Sequence, residues 1–188
     1  MTVSDSKLEL RRKLRALRAD LARDNPTAAH QSVDHCPLSG FATVAGYHAI
    51  GSELNPVPLM LALAKSGARL ALPTCLAGDL PLVFRLWSPG EALIRDALGV
   101  PSPAKTAMTV RPDMVIAPLL AFDRGGGRLG QGGGHYDRTL EALRVQGRVF
   151  VVGLAYAGQE VAEVPSQPHD QKLDAILTET GYIEFRKL

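Results

Sequence analysis

The stretch that decides the fold is DMVIAPLLAFDRGGGRLGQGGGHYDRTLEALR, residues 113–144. Its first part, residues 114–121, is almost unbroken apolar sequence, which is typical of a strand that is covered on both faces. Proline has no N–H to donate within a sheet, so we end this strand near Ala117 and expect a loop from Pro118 onward. Apolar residues then recur at helical spacing and predict a helix. These residues are Tyr136, Leu140 and Leu143.

Between the predicted strand and helix lies a run rich in glycine. The glycines are Gly125, Gly126, Gly127, Gly130, Gly132, Gly133 and Gly134. Such a run lets backbone N–H groups approach an anion, and a helix start adds favourable partial charge. Arg128 could supply the full positive charge that a polyphosphate needs, and Asp137 could accept a divalent cation carried by it. A floppy surface turn is the alternative, but the entropic cost of so many glycines favours a ligand loop. The loop matches neither GxxxxGK[ST] nor GxGxxG, so a Walker or dinucleotide loop is not indicated.

Length and composition limit the remaining possibilities. The 188 residues suit a single domain, residues 1–188, and 46% hydrophobic with 21% charged residues are globular values. A net charge of +2 and 5% aromatic residues argue against a nucleic-acid partner. The two cysteines form neither a metal-ligand spacing nor a disulfide framework. No apolar run is long enough for a membrane span and no secretory signal is present, so we expect a cytoplasmic protein without a membrane partner.

The chain opens with a predicted helix, residues 6–24, that carries two stripes. The stripe expected to be buried consists of Leu10, Leu14, Leu17 and Leu21. The cationic stripe beside it consists of Lys7, Arg11, Arg15 and Arg18. Such a stripe is usually a solvated face, but its first members, Lys7 and Arg11, could instead reach phosphate or carboxylate oxygens. Sequence spacing leaves both interpretations open.

Two further loops carry candidate polar groups. Glu53 lies between a predicted strand and the helix start at Asn55-Pro56, in a position where open α/β sheets hold ligands, although an exposed loop acid is equally compatible. His48, on the strand before it, fits a core or rim histidine better than a catalyst. His169 and Asp170 form a possible metal-binding or polar contact point in a late loop. Right-handed crossovers can bring these loops and the glycine run to one edge of a sheet.

The other predicted elements alternate between strands and helices. Helices are expected at 27–36 and 55–66, strands at 43–49, 69–73, 82–87, 149–154, 175–178 and 182–185, and brief helical stretches at 91–98 and 159–164. This alternation predicts an α/β protein, a three-layer α/β/α sandwich with a mostly parallel sheet. A phosphate loop, a basic helix and acids for magnesium at one edge indicate an ATP-dependent enzyme.

Residues 128–140, RLGQGGGHYDRTL, with PLLAFD before them, resemble the 5-formyltetrahydrofolate cyclo-ligase family, also called methenyltetrahydrofolate synthetase. The resemblance covers nearly the whole chain. Its other segments are KLELRRKLR (7–15), YHAIGSELNPVPL (47–59), FRLWSPGEAL (84–93), GVPSP (99–103) and VGLAYAGQEVAEVPSQPHDQKLDAILTE (152–179). The fold that the resemblance implies is Rossmann-like, of the NagB/RpiA/CoA-transferase-like type.

The resemblance implies a reaction in which 5-formyltetrahydrofolate and ATP become 5,10-methenyltetrahydrofolate, ADP and phosphate, with Mg²⁺. We expect the protein to be a monomer. The implied ATP-binding residues are Lys7, Arg11, Arg128, Leu129, Gly130, Gln131, Gly132, Gly133, Gly134, His135 and Tyr136. The implied substrate-binding residues are His48, Glu53, Gln131 and His135. The implied metal ligands are Asp137 and Asp170, and the implied catalytic residues are Arg128, His135 and Asp137.

Three positions depart from the family pattern. His135 stands where the family usually has tyrosine, so ATP affinity is expected to weaken as pH rises and an imidazolium loses its charge. Gln131 replaces a residue that is often basic or aromatic, and Ser102 one that is often an acid or amide. Two other functions stay open: a repurposed nucleotide-binding or RNA-binding paralogue, and an ATP-dependent ligase or kinase for another small heterocycle.

Overall fold

The structure is a computed structural model that describes residues 3–186, and the side chains of residues 8–186. Its helices are α1 (Val3–Asp24), α2 (Ala28–Asp34), α3 (Val57–Lys65) and α4 (His135–Gln146), with a 3₁₀ turn at Ala157–Gln159. Its strands are β1 (Thr43–Ala45), β2 (Arg69–Thr74), β3 (Val83–Leu86), β4 (Ile94–Arg95), β5 (Pro101–Ser102), β6 (Met114–Ala117), β7 (Ala121–Phe122), β8 (Arg128–Leu129), β9 (Phe150–Leu154), β10 (Ala175–Thr178) and β11 (Gly181–Glu184). None of the described helices combines the length and apolar character that a membrane crossing requires.

One seven-stranded sheet organises the molecule, in the order β11-β10-β9-β6-β1-β2-β3. The pairs from β10 through β9, β6 and β1 to β2 are parallel, and only the edge strands β11 and β3 run antiparallel to their neighbours. The predicted mostly parallel sheet is therefore confirmed. The carboxyl ends of five parallel strands lie at one edge, and the loops that follow β1, β2 and β6 meet there.

The central strands send alternate side chains to two separate cores. On β6, Met114 and Ile116 pack with the residues of α2 and α3, whereas Val115 and Ala117 pack with those of α4. All four of these residues are fully buried, as expected for a strand covered on both faces. The sandwich of helices on either side of the sheet follows from this double burial.

Helix α1 packs differently from the predicted pattern. Leu14 is buried, but Leu17 is 40% exposed, so the prediction of one continuous buried leucine stripe is wrong. Arg18 is only 4% exposed, so the interpretation of the cationic stripe as a solvated face is wrong at that position. The reason is that α1 meets both apolar and polar groups of the segments beyond the sheet edge. Leu14 packs into an apolar cluster with the β7–β8 hairpin, whereas Arg18 donates to the Ser52 hydroxyl and the Leu119 carbonyl.

Three local predictions are also corrected. Residues 91–98 do not form a helix, because Ile94 and Arg95 pair with Ser102 and Pro101 in a small two-stranded sheet. The predicted turn of helix at 159–164 lies earlier, at Ala157–Gln159. The sequence after Pro118 is not simply a loop, because β7 and β8 form an antiparallel hairpin.

Candidate functional site

A cavity of about 300 Å³ opens at the carboxyl edge of the parallel strands. The predicted site residues with described side chains all line it: Arg11, His48, Glu53, Arg128, Leu129, Gly130, Gln131, Gly132, Gly133, Gly134, His135, Tyr136, Asp137 and Asp170. The side chain of Lys7, the remaining one, lies outside the described residues. The topology thus brings together groups that lie up to 159 residues apart, between Arg11 and Asp170.

The hairpin before the glycine loop is held by one buried carboxylate. Asp123 accepts hydrogen bonds from the amides of Gly125 and Gly127 at Oδ1 and from Val164 at Oδ2, each at 2.8 Å. Gly126, in the middle of the turn, has φ +77°, a conformation that favours glycine. The first glycines of the run therefore build the turn that leads into Arg128, and they do not line the cavity.

The second half of the run, residues 130–134, forms the wall of the cavity. No described residue accepts a hydrogen bond from the amides of these five residues. Gly132 and Gly134 have φ +111° and +66°, and Gly134 directly precedes α4. Arg11 holds the loop from α1, because its Nε donates to the carbonyl of Gly130 at 3.0 Å. The loop thus presents unengaged N–H groups at a helix start, beside a fixed guanidinium, and this arrangement suits an anion.

Arg128 and Asp137 form an ion pair beside that loop. Arg128 Nη2 lies 2.6 Å from Asp137 Oδ1, and the Arg128 side chain is only 3% exposed. The guanidinium also lies 5.8 Å from the centre of the Tyr136 ring, within cation–π range. The amide of Gln171 donates to the same Oδ1 at 3.0 Å. No described residue hydrogen-bonds Oδ2, which leaves one oxygen of this carboxylate available to a cation.

The imidazole of His135 lies next to an arginine side chain and a thiol. Its Nδ1 lies 3.3 Å from Arg138 Nη2 and 3.9 Å from Cys75 Sγ. Since a guanidinium can only donate, Nδ1 accepts this hydrogen bond, and the neutral ring then carries its proton on Nε2. Burial, and then the nearby charge of Asp96, raise the pKa of the Cys75 thiol, so that Cys75 acts as a neutral wall of the cavity.

Glu53 also lines the cavity, and it follows β1. Its Oε2 accepts a hydrogen bond from the Ile50 amide at 2.9 Å, and its side chain is 7% exposed. Burial, and then the charge of Glu53, raise the pKa of the phenols of Tyr47 and Tyr136. The Tyr136 hydroxyl is buried and has no hydrogen-bond partner among the described residues. His48 is exposed at the rim, in agreement with the rim histidine expected from the sequence.

Asp170 lines the cavity from the loop before β10. Its Oδ2 accepts a hydrogen bond from the Gln167 amide at 2.7 Å, and its Oδ1 lies 3.7 Å from His169 Nε2. Among the described residues no group of three or more His, Cys, Asp or Glu side chains is placed to hold a metal. A cation here would therefore depend on a few carboxylate oxygens and on oxygens brought by a ligand.

Sequence reasoning missed part of the cavity lining. The missed residues are Tyr47, Ile50, Pro73, Cys75, Leu82, Asp96, Leu98, Val100, Pro118, Leu119 and Gln167. Most are apolar, and their positions follow strand ends, as after β2 and β6. The strand ends were the available indication, but apolar residues at such positions look the same as core residues. Asp96 organises one of these loops by accepting bonds from the amides of Leu98 and Val100.

The fold and the cavity together define an α/β protein whose candidate ligand site lies at the carboxyl edge of its parallel strands. Residues 3–179 match the 5-formyltetrahydrofolate cyclo-ligase family. The chain is 36% identical over 153 residues to a 5-formyltetrahydrofolate cyclo-ligase of Mycolicibacterium smegmatis, covering 77% of each chain. It is 33% identical over 184 residues to the enzyme of the same name from Escherichia coli K12, covering 94% of this chain and 100% of that one.

The solved structures agree with these sequence matches. The 5,10-methenyltetrahydrofolate synthetase of Aquifex aeolicus superposes with a TM-score of 0.79 at 28% identity, covering 97% of this chain and 94% of that one. The chain belongs to the 5-formyltetrahydrofolate cyclo-ligase family. The predictions of this family, of its fold and of an ATP-dependent ligase are confirmed.

Proposed function

We propose that this protein converts 5-formyltetrahydrofolate and ATP into 5,10-methenyltetrahydrofolate, ADP and phosphate, with Mg²⁺. The observation that carries the proposal is the shared cavity, which is lined by the unengaged amides of residues 130–134, by the Arg128–Asp137 pair and by the acidic Glu53. One end of this cavity suits a polyphosphate and the other suits a ligand with N–H donors. A reaction that joins ATP to a heterocycle needs both ends.

The triphosphate would lie along residues 129–136. The amides of the loop and the start of α4 favour phosphate oxygens. Arg11 and Arg128 add two fixed positive charges, and Arg128 is almost completely shielded from water. A hydrogen bond between a guanidinium and phosphate is stronger than one between neutral groups. These features support the predicted ATP-binding roles, with Lys7 as a further candidate from α1.

The residues present fit Mg²⁺. Asp137 and Asp170 line the same cavity, and carboxylate oxygens are suitable ligands for a hard cation. Two carboxylates suffice because Mg²⁺ usually binds one or two of them and completes its shell with waters and substrate phosphates. When bound, the cation would neutralise charge on the phosphates. Since Arg128 occupies Asp137 Oδ1, Oδ2 is the oxygen we assign to the cation.

The folate would bind with its pterin at Glu53. A carboxylate is an acceptor, so it suits the amino and ring N–H donors of a pterin. The Tyr136 hydroxyl, which is buried near Glu53 without a partner, offers a donor to the same ligand. His48 and Gln131, both exposed at the cavity, are assigned to the remaining substrate contacts.

The chemistry would require positioning and charge neutralisation more than a protein nucleophile. The formyl oxygen of the folate attacks the γ-phosphorus, and the bond from that phosphorus to the β-bridging oxygen breaks to release ADP. N10 then bonds to the formyl carbon and releases its proton to solvent, and phosphate leaves with the formyl oxygen. In this scheme Arg128 and His135 stabilise charge on the transferring phosphoryl group, and Asp137 holds Arg128 in position relative to the loop.

The test is to mix the protein with Mg-ATP and 5-formyltetrahydrofolate and to follow the near-ultraviolet absorbance of the methenyl product together with ADP release. Both should appear, and omission of either substrate should abolish both. Asp137→Asn should lose turnover far more than stability, because the amide oxygen can still accept from Arg128 and Gln171 while the charge proposed to hold the cation is removed. Equal loss of both would make Asp137 structural. ADP release without the methenyl band would favour another heterocycle, and absence of both would favour a non-catalytic paralogue.

The cytoplasmic location and the monomeric state remain predictions. Light scattering of the purified chain would test the second one directly.

A further inference from the structure

A buried arginine outside the cavity contacts the acid inside it. Arg18 is 4% exposed and does not line the cavity, whereas Glu53 does. Arg18 Nη1 lies 3.5 Å from Glu53 Oε1, and both side chains are less than a tenth exposed. A buried carboxylate without a counter-charge is costly, so this guanidinium balances the charge that Glu53 presents to a ligand.

The arginine is itself fixed by two other segments of the protein. Its Nε donates to Ser52 Oγ at 3.1 Å, and its Nη1 donates to the Leu119 carbonyl at 3.2 Å. The same carbonyl accepts a hydrogen bond from Gln159 Nε2 at 2.9 Å, and Gln159 is 1% exposed. Arg18 therefore joins α1 to the loop after β1 and to the segment after β6, and neither contact depends on a ligand.

Glu53 is held from the opposite side by a backbone group. Its Oε2 accepts from the Ile50 amide, while Oε1 faces Arg18. One oxygen is thus placed by the backbone of its own loop and the other by a side chain from α1. A planar guanidinium with two further anchors restricts the carboxylate more than a flexible ammonium would.

We propose that Arg18 is a positioning residue for the folate end of the site: it orients Glu53 and balances its charge without touching either substrate. This inference rests on the proposed function, because it assumes that Glu53 binds the folate. It assigns a specific task to one member of the cationic stripe, distinct from that of Arg11, which contacts the glycine loop. Arg18 should consequently affect folate binding and leave ATP binding nearly unchanged.

The test is a double-mutant cycle with Arg18→Met, Glu53→Gln and the double variant, in which KM for each substrate and kcat are measured. Arg18→Met should raise the folate KM by about tenfold or more, since small misplacements of a binding group have large effects, while the ATP KM changes by less than about twofold. In the Glu53→Gln background the same substitution should change the folate KM by less than about twofold, because coupled residues are not additive.

Two further variants keep the test decisive. Arg12→Met removes an exposed charge from the same helix and should change neither KM. Arg18→Lys keeps the charge and should give an intermediate folate KM, and it replaces Arg18→Met in the cycle if that variant does not fold. Equal effects on both KM values, or the same effect of Arg18 with and without Glu53, would overturn the proposal. Wild-type protein without methenyl product would instead refute the proposed function itself.

Discussion

The turn before the glycine loop should depend on the carboxylate of Asp123 more than on any other side chain around it. Its three hydrogen bonds go to backbone N–H groups, two at Oδ1 and one at Oδ2, and the residue is 8% exposed. Asp123→Ala removes all three acceptors. A hydrogen bond to a charged group contributes about 1.5–3 kcal/mol, but the two glycine amides can partly regain water. We therefore expect a loss of about 4 kcal/mol in the free energy of unfolding.

Asp123→Asn provides the matched comparison. The amide oxygen can still accept from Gly125 and Gly127, but an NH₂ group then faces the buried Val164 amide, where two donors meet. One charged hydrogen bond is lost, so the expected loss is about 2 kcal/mol.

Urea unfolding of both variants, with Asp79→Asn as an exposed control, measures these differences. The control should change the free energy of unfolding by less than about 0.5 kcal/mol. A loss below about 1 kcal/mol for Asp123→Ala, or an unchanged free energy of unfolding in Asp123→Asn, would refute the assignment of Asp123 as the anchor of this turn.

Three other predictions follow from packing and charge. Gly153→Ala should cost about 1–3 kcal/mol in urea unfolding, because a Cβ there would approach three apolar side chains within 3 Å, whereas Gly181→Ala, with open space around it, should be nearly neutral; equal costs would contradict this. Burial raises the pKa of all four tyrosines, to about 12 for Tyr182, so native protein should show little phenolate absorbance at about pH 10. Because the tyrosines of the unfolded chain lose their protons near pH 10, the free energy of unfolding should be unaffected below that pH and should fall as pH rises above it. Half-complete phenolate absorbance of the folded protein at about pH 10 would contradict this prediction. His135→Ala should weaken the ATP affinity measured by calorimetry, because His135 lines the cavity beside residues 130–134, whereas His30→Ala, which lies outside the cavity, should leave it unchanged; equal affinities of the wild type and His135→Ala would exclude His135 as a phosphate contact.

The sheet was predictable from the sequence because its strands carry their own pattern. Residues 114–117 are apolar without interruption, and Pro118 marks the end of the strand correctly. The helix at His135–Gln146 likewise follows from its spacing. The glycine run could be placed between them because the strand before it and the helix after it were both predicted from their own patterns.

What could not be predicted depends on contacts between distant segments. The 91–98 stretch has helical composition, yet pairing between Ile94 and Ser102 converts part of it to strand. In α1, the 3.6-residue period predicted which face carries leucines, but not that the helix would lie on loops and bury Arg18. A periodic pattern predicts which face of a helix is apolar, whereas the segment that packs against that face depends on the tertiary structure.

Helix α1 explains why the two ends of the cavity belong to one site. Arg11 contacts the glycine loop at Gly130, and Arg18, two turns further along, contacts Glu53. The sheet alone fixes only the strand ends and leaves the loops after β1 and β6 to be placed separately. Because both arginines project from one rigid helix, the separation between the glycine loop and Glu53 is set by helix geometry. A helix that was shifted by one turn would lose both contacts together, so the position of α1 would set the distance between the two ligands that we propose for this cavity.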